Sequence, residues 1–348
     1  METRRIEKPQ AERIYLYDNL KLIAIILVVI GHAIDFLAKT ESGNWLEKSL
    51  FVAIYSFHMP LFIFISGLFV KPMDKQTKFP KQKVISYFAI AIVLRAFTSI
   101  VRLLLGEKER YSILNMYDSY TWFMGAMAVF IALAWLFREY DKKIIFSIAA
   151  LVGCMAGYDK FLGDKYSLMR IAVFFPIFLL GYYMKPDRLL SLISKRYLKI
   201  IAAVVLVGFL AVCLFSRGFT LTLRPLFTGR NRFTVLGDNY AFGAIYRLFC
   251  YIVSIVVGLA VMCLVPNKNF GYISKMGAKT LQIYFWHKMI LIVFEHFHLY
   301  AKIEHFTGST IATAIYILIA IGVAVLCSLD IFAFPTKQLL SIGKSTAN

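Results

Sequence analysis

Ten apolar segments separated by short polar stretches dominate this sequence and restrict the folds open to it. About 20 apolar residues cross a bilayer as a helix, and most of these segments approach that length. They lie at residues 20–37, 51–70, 84–105, 119–137, 144–157, 170–184, 198–215, 242–265, 281–297 and 310–332. We therefore predict an all-α polytopic membrane protein of about ten transmembrane helices. The transmembrane domain covers 20–334, between an N-terminal segment (1–19) and a tail (335–348).

The composition agrees with a membrane protein and argues against two other classes. The chain is 59% hydrophobic and only 17% charged, which no ordinary soluble domain of 348 residues matches. The net charge of +19 would suggest nucleic acid in a soluble protein, but basic residues of membrane proteins collect near lipid headgroups. We expect membrane lipids and no nucleic acid as partners. The five cysteines fall inside apolar segments without metal-ligand spacing, so we expect neither disulfides nor a metal.

The basic residues also predict the orientation in the membrane. Of the 39 Lys and Arg, 22 lie in the termini and alternate loops, 12 in the other loops and five within the segments. Because cytoplasmic loops are enriched in Lys and Arg, both termini are predicted to be cytoplasmic. The first helix is then a retained anchor of a multi-pass protein in a bacterial cell membrane.

The first apolar segment carries polar residues that a plain anchor would lack. Lys21 and His32 are eleven residues apart, a rise of about 16 Å and nearly a whole number of turns, so they share one face of a helix. Ionisable groups at membrane depth usually line a cavity. We interpret His32 as a general base and Asp35 as the acid that orients its ring. The alternatives are a packing histidine and an interfacial aspartate.

A second histidine and two arginines lie at comparable depth. His58, on the second segment, is predicted to share a cavity with His32. Arg95 and Arg102 are seven residues apart on one face of the third helix. Arg95 lies near mid-membrane and either holds a phosphate or developing negative charge or forms a structural ion pair. Arg102 lies nearer the surface, where a long side chain can reach the headgroups.

Further candidates lie nearer the loops. Tyr284 and His287 are one helical turn apart and suit a ligand that enters from the cytoplasm. The lysine-rich loop 71–83 attracts either anionic lipids or an anionic cofactor. The long loop 216–241 contains four arginines among glycines and aromatic residues. It is equally suited to acceptor recognition and to a tethered position on the lipid surface.

Five stretches of the chain form a distinctive series, in this order: YDNLKLIAIILVVIGHA (17–33), FHMPLFIFISGLF (57–69), WF (122–123), RIAVFFPIFLLGYYM (170–184) and GAKTLQIYFWHK (277–288). Together they resemble the acyltransferase 3 family, and most closely its fucose 4-O-acetylase-like branch. Members are integral-membrane enzymes that O-acylate extracytoplasmic glycans. The resemblance implies the same ten-helix fold and the same class of reaction.

The resemblance also implies roles for particular residues. The family's basic residue and catalytic histidine of the first helix fall on Lys21 and His32, and its donor-handling arginine matches Arg95 best. The family histidine of FHMP falls on His58, and the late Tyr-x-x-His on Tyr284 and His287. Many members carry Arg-x-x-Arg between the second and third helices, where this chain has Lys78-x-x-Lys81.

We predict an O-acetyltransferase that moves an acyl group from cytoplasmic acetyl-CoA, or another acyl-CoA, to a saccharide hydroxyl. The acceptor would be exopolysaccharide, capsule or a lipid-linked glycan. His32 and His58 would act in catalysis with Asp35 and Arg95. Five side chains would bind the donor, namely Lys21, Lys78, Lys81, Tyr284 and His287. The alternatives are a transporter or flippase for a lipid-linked saccharide, and a membrane sensor or scaffold.

Overall fold

The computed structural model describes residues 14–39, 44–107, 119–162 and 167–342. Parts of the two predicted terminal segments, residues 1–13 of 1–19 and residues 343–348 of 335–348, lie outside the described residues. Helices and turns make up the described part, with no strand in it. Its α-helices are α1 (Tyr15–Lys39), α2 (Trp45–Tyr55), α3 (His58–Leu68), α4 (Lys81–Leu104), α5 (Trp122–Leu136), α6 (Lys142–Met155), α7 (Leu168–Tyr183), α8 (Pro186–Ile193), α9 (Arg196–Phe215), α10 (Arg217–Phe227), α11 (Gly243–Leu264), α12 (Tyr272–Met276), α13 (Thr280–His296), α14 (Leu299–Thr307), α15 (Ser309–Cys327) and α16 (Thr336–Ser341).

Each of the ten predicted apolar segments overlaps one of these helices, or two in the case of α2 and α3. Within the described residues, six helical stretches are long and apolar enough to cross a membrane, with α2 and α3 counted as one. The count becomes seven if α7 and α8, bent by 92°, form one crossing. The protein is therefore an all-α integral membrane protein. The total of ten crossings and the side of the termini remain predictions.

Helix α1 occupies the centre of the helix bundle. Its Leu20, Ile25, Val29 and Ile34 are completely buried, and it packs against α2, α3, α13 and α15. A helix that is apolar on all sides is stable only when other apolar surface surrounds it, as here. The polar residues of α1 consequently lie inside the protein.

The N-terminal end of α1 is fixed by hydrogen bonds to the segment between α11 and α12. The amide of Asn19 donates to the carbonyl oxygens of Pro266 (2.9 Å) and Lys268 (3.0 Å) and accepts from the Ser274 hydroxyl (2.7 Å). A Cβ atom on Gly277 would lie 1.9 Å from the carbonyl oxygen of Asp18, so only glycine permits this approach. These contacts set the depth and rotation of the helix that carries Lys21.

The chain breaks between α2 and α3, and His58 is the first residue of α3. Pro60 accounts for part of this break, because proline has no N–H to donate and is tolerated only in the first turn of a helix. The carbonyl oxygen of Ser56 at the break accepts a hydrogen bond from the Ser254 hydroxyl of α11. The Ser56 carbonyl oxygen, which the break leaves without a helical partner, thus has a hydrogen bond inside the protein. Such a bond is needed because the bilayer core has no water to replace it.

Helices α3 and α7 touch through two glycines. A Cβ atom on Gly67 would lie 2.3 Å from the carbonyl oxygen of Phe178, and one on Gly181 would lie 2.0 Å from that of Phe64. Small residues of this kind allow helix backbones to approach each other in membranes. This contact joins the helix that begins with His58 to the helix that carries Arg170.

Candidate active site

A polar cavity lies beside the C-terminal half of α1, with a volume of about 130 Å³. We call it the histidine cavity. Aromatic and charged side chains from helices distant in sequence form most of its wall. Its lining residues are Val28, His32, Asp35, Tyr55, His58, Met59, Tyr120, Trp122, Arg170, Phe174, Phe227, Thr228, Arg230, Tyr284 and Lys288.

His32 is hydrogen-bonded to a second histidine that lies behind it. The Nδ1 atom of His32 is 2.9 Å from Nε2 of His287 on α13, and the two rings are stacked with centroids 5.1 Å apart. His287 is completely buried, and its own Nδ1 lies 2.9 Å from the carbonyl oxygen of Ile283. His287 therefore supports His32 from the side away from the cavity.

This arrangement fixes the positions of the ring protons. A carbonyl oxygen only accepts, so Nδ1 of His287 carries a proton and donates it to Ile283. In the neutral ring, Nε2 of His287 is then an acceptor, and Nδ1 of His32 donates to it. Nε2 of a neutral His32 therefore carries the lone pair. This is the tautomer that a general base needs, and the hydrogen bond at the other nitrogen holds it.

His58 and Asp35 lie in the same cavity as His32. The Nδ1 atom of His58 donates to the carbonyl oxygen of Ile54 over 2.7 Å, and its ring meets Tyr55 edge-on. The structure thus brings both predicted histidines to one cavity. The partner at Nδ1 of His32 is His287, whereas the sequence left Asp35 open as either the acid that orients this ring or an interfacial residue. Asp35 lines the cavity and interacts electrostatically with Tyr55 and with Arg224 of α10.

Three basic side chains line the histidine cavity and were not predicted as site residues. Arg170 of α7 is buried, and its guanidinium carbon lies 5.2 Å from the centre of the Trp122 ring. Arg230 follows α10, and Lys288 of α13 forms an ion pair with Glu295 (2.7 Å). In the sequence, Arg170 stands directly before an apolar run. A residue at the end of a loop would occupy the same place, so the sequence did not single out Arg170 as a site residue.

A second cavity of about 270 Å³ lies beside the N-terminal half of α1. We call it the lysine cavity, because Lys21 and Lys83 are its basic lining residues. The remaining wall is largely apolar, with contributions from α3, α4, α5, α13 and α16. It comprises Phe62, Ile65, Ser66, Phe69, Val70, Tyr87, Phe123, Met124, Met127, Ile131, Thr280, Leu281, Tyr284 and Leu340. Lys21 contacts Asp18 (3.4 Å) and lies over the Phe69 ring.

Tyr284 belongs to both cavities, and it is the one lining residue that their described walls share. Its side chain is buried, and its hydroxyl donates to the carbonyl oxygen of Tyr120. The Tyr120 hydroxyl in turn is hydrogen-bonded to Thr98 of α4. Tyr284 therefore stands at the boundary between the lysine cavity and the histidine cavity.

Besides His287, three predicted site residues lie outside both cavities. Arg95 is half-buried on α4, and Lys78 and Lys81 are exposed on or just before the same helix. Lys83, two residues after Lys81, lines the lysine cavity instead. No cluster of three or more His, Cys, Asp or Glu side chains suited to a metal ion occurs among residues for which the structure gives positions.

Comparison with known proteins identifies the family. The model of the acyltransferase 3 family, described as an acyltransferase domain, matches residues 14–329. The chain belongs to this family. The match includes every residue that lines the histidine cavity of this acyltransferase 3 protein.

One curated relative is similar to the chain over a short region. The acyltransferase 3 protein is 41% identical to nodulation protein NolL of Sinorhizobium fredii over 63 residues. That region covers 18% of this chain and 17% of NolL, so the two proteins are compared over only a small part of their lengths. No solved structure matches the chain.

Proposed function

We propose that this protein is an O-acyltransferase that moves an acetyl or other short acyl group from cytoplasmic acyl-CoA to a hydroxyl of an extracytoplasmic or lipid-linked saccharide. The single observation that carries the proposal is the pair of cavities along α1, which meet at Tyr284. A donor in one and an acceptor in the other would meet at this boundary.

The lysine cavity suits the acyl-CoA donor. Its basic residues, Lys21 and Lys83, would attract the phosphates of CoA, and exposed Lys78 and Lys81 add positive charge nearby. The apolar wall suits the pantetheine arm and the acyl chain. From Lys21 to His32, α1 rises about 16 Å, which that extended arm spans.

The histidine cavity suits the acceptor hydroxyl and the chemical step. Nε2 of His32 takes the hydroxyl proton while the oxygen attacks the thioester carbon. The C–S bond then breaks, and the imidazolium returns the proton to the CoA thiolate. His287 acts as a positioning residue, because its hydrogen bond holds His32 in the required tautomer. This role replaces the donor-binding role that the sequence suggested for His287.

The negative charge that develops on the thioester oxygen needs a positive partner at the same boundary. Arg170 is the best placed cation, since it is buried against Trp122 and lines the histidine cavity. A preorganised charge of this kind, shielded from water, stabilises a tetrahedral intermediate strongly. Arg95, the predicted residue, lines neither cavity, so we assign the stabilisation of this charge to Arg170 instead.

The proposal is tested by transfer of a radioactive acetyl group from acetyl-CoA by the purified protein in detergent, with glycans of the host envelope as acceptors. His32→Ala is expected to abolish transfer while the protein elutes as a folded particle. Lys21→Met is expected to raise the KM for acetyl-CoA with less effect on kcat. The matched controls are His305→Ala and Lys302→Met, because both side chains are exposed and line neither cavity.

Two results would overturn the proposal. One is full transfer by a folded His32→Ala protein, which would remove the general base. The other is a wild-type protein that neither binds nor turns over any acyl-CoA. That result would favour the alternative prediction of a transporter.

A further inference from the structure

Three aromatic rings stand at the inner end of the lysine cavity, where it meets the histidine cavity. They belong to Phe62 of α3, Phe123 of α5 and Tyr284 of α13, and all three line the lysine cavity. The Phe123 ring meets the other two edge-on, with centroids 5.3 Å from the Phe62 ring and 5.7 Å from the Tyr284 ring. We call these three rings the aromatic collar. Because Tyr284 also lines the histidine cavity, the collar lies at the boundary between the two cavities.

The lining residues along two helices show how far the collar lies from the basic end of the lysine cavity. The Nζ atom of Lys21 is 4.8 Å from the centre of the Phe69 ring. Phe62 comes seven residues before Phe69, which is about 10 Å along a helix axis. On α5 the lining residues extend over eight positions, from Phe123 to Ile131, which is about 12 Å. The lysine cavity is therefore elongated, with lysines at one end and the aromatic collar at the other.

Packing and a hydrogen bond hold the collar rings in place. Phe123 is only 3% exposed and Tyr284 only 4%. The Tyr284 hydroxyl donates to the carbonyl oxygen of Tyr120 in the short turn just before α5, which fixes the Tyr284 ring beside Phe123. A close-packed interior resists added volume. A ligand group that is larger than the space between the rings must therefore displace a buried side chain.

We propose that the aromatic collar restricts the donor to acetyl-CoA and excludes butyryl and longer acyl groups, with Phe123 as the residue that determines this specificity. The inference rests on the proposed function, because it names the acyl group that the site transfers. Phe123 is the central residue of the collar, since its ring contacts both other rings.

The direction in which an acyl chain must extend explains the exclusion. In the proposed mechanism the thioester carbon lies at the boundary, within reach of a hydroxyl that His32 holds. The acceptor then lies ahead of the acyl group, and the CoA arm fills the lysine cavity behind it. An acetyl methyl group fits between the collar rings, whereas a butyryl chain would have to displace a ring or turn back into the space of the arm.

The test is equilibrium binding of S-alkyl thioethers of CoA, measured by isothermal titration calorimetry in detergent. The probes are S-ethyl-CoA, S-butyl-CoA and S-hexyl-CoA, whose chains match those of acetyl-, butyryl- and hexanoyl-CoA but cannot be transferred. The wild-type protein is expected to bind S-ethyl-CoA at least about tenfold more tightly than S-butyl-CoA, because a methylene that does not fit costs about that much. S-hexyl-CoA is expected to bind no more tightly than S-butyl-CoA.

Variants of Phe123 locate the effect. Phe123→Ala is expected to remove the preference for S-ethyl-CoA, because the apolar space left by the ring accepts an apolar chain. Phe123→Leu retains more of the packing and is expected to reduce the preference in part. The control Phe130→Ala makes the same change on the same helix, where the ring packs against Phe175 and Phe178 outside both cavities. It is expected to keep the full preference.

A second control distinguishes the collar from the rest of the lysine cavity. Ile131→Ala also enlarges this cavity, but eight residues away from Phe123 on α5, and is expected to keep the preference for S-ethyl-CoA. Equal binding of S-ethyl-CoA and S-butyl-CoA by the wild-type protein would overturn the inference. So would a preference that persists in folded Phe123→Ala and Phe123→Leu proteins, or one that Ile131→Ala removes equally.

The inference and the proposed function fail separately. A preference for the short chain that depends on Phe123, with no acyl transfer to any acceptor, would refute the function alone. Transfer of acetyl and butyryl groups with similar kcat/KM would refute the inference alone. A wild-type protein that binds none of the three thioethers would overturn the inference, whatever the transfer assay shows.

Discussion

In the proposed mechanism, His287 lies outside the histidine cavity and controls the chemistry inside it. Its two ring nitrogens connect the Ile283 carbonyl oxygen to Nδ1 of His32. In a serine protease triad a carboxylate holds the histidine in its reactive tautomer. Here a neutral ring serves the same purpose, which suits a site at membrane depth because no additional charge is buried.

Replacing His287 tests this role directly. His287→Leu removes the acceptor for the His32 proton, so kcat for acyl transfer is expected to fall at least about 100-fold. The KM for acetyl-CoA should change little, because His287 lines neither cavity. His287→Gln provides an acceptor near the original Nε2 and is expected to recover part of the rate. Equal losses in both variants, or a change mainly in KM, would contradict a positioning role.

Tyr284 offers a second test, at the boundary of the two cavities. Tyr284→Ala is expected to join them and admit water to the thioester, so acetyl-CoA hydrolysis without acceptor should rise while transfer falls. Tyr284→Phe keeps the ring and loses only the hydrogen bond to Tyr120. The measurement is the ratio of CoA released to acetyl groups transferred. A ratio unchanged in Tyr284→Ala would show that the boundary lies elsewhere.

Part of the site could be predicted from the sequence because its residues contrast with their surroundings. Lys21, His32 and His58 stand in apolar segments, where a polar residue is conspicuous. The contact between His32 and His287 joins residues 255 positions apart, so no local pattern reveals it. Arg230 lies in a loop rich in arginine, where nothing in the sequence distinguishes the one that faces the cavity.

The positions of the long apolar helices were predictable from the sequence, but the breaks within them were not. Hydropathy located all ten apolar segments, because burial in a bilayer demands long apolar runs. It did not reveal that the second segment divides at Ser56, which depends on a hydrogen bond from Ser254 of α11. Nor did it show that α3 and α7 approach each other at Gly67 and Gly181.

The contact between α3 and α7 gives a prediction for stability. Gly181→Ala would place a methyl group against the Phe64 carbonyl oxygen, and such overpacking costs about 1–3 kcal/mol. The thermal midpoint measured by size-exclusion chromatography after heating should fall, with lower transfer activity because α7 carries Arg170. Gly208→Ala on α9 is the control, since its added Cβ meets no atom within 4 Å. Equal midpoints for the two variants would argue against the close contact.

For the whole molecule, the arrangement of the cavities depends on the orientation in the membrane. The lysine cavity must open toward the cytoplasm if acyl-CoA is the donor. The loop before α4 lies at the end of the protein with the lysine cavity. The segment between α10 and α11, which contains Arg230, lies at the end with the histidine cavity. The natural cysteines provide a low background for labelling, because they are buried or half-buried.

Cysteine labelling in intact cells tests this orientation. Asp238→Cys, at an exposed position between α10 and α11, is expected to react with a membrane-impermeant maleimide added outside. Gln76→Cys, exposed before α4, should react only after the membrane is permeabilised. The reverse pattern would place the termini outside and would exclude cytoplasmic acyl-CoA as the donor for the lysine cavity.

The division of the interior into two cavities that share Tyr284 has a consequence for how such proteins diverge. Under the proposed function, residues that contact the acyl-CoA donor can stay constant while the segment from 216 to 242 changes to fit a new sugar. An exchange of that segment between relatives would then transfer the acceptor preference and leave the use of the donor intact. One fold can in this way modify many different envelope glycans, each specific to a particular organism.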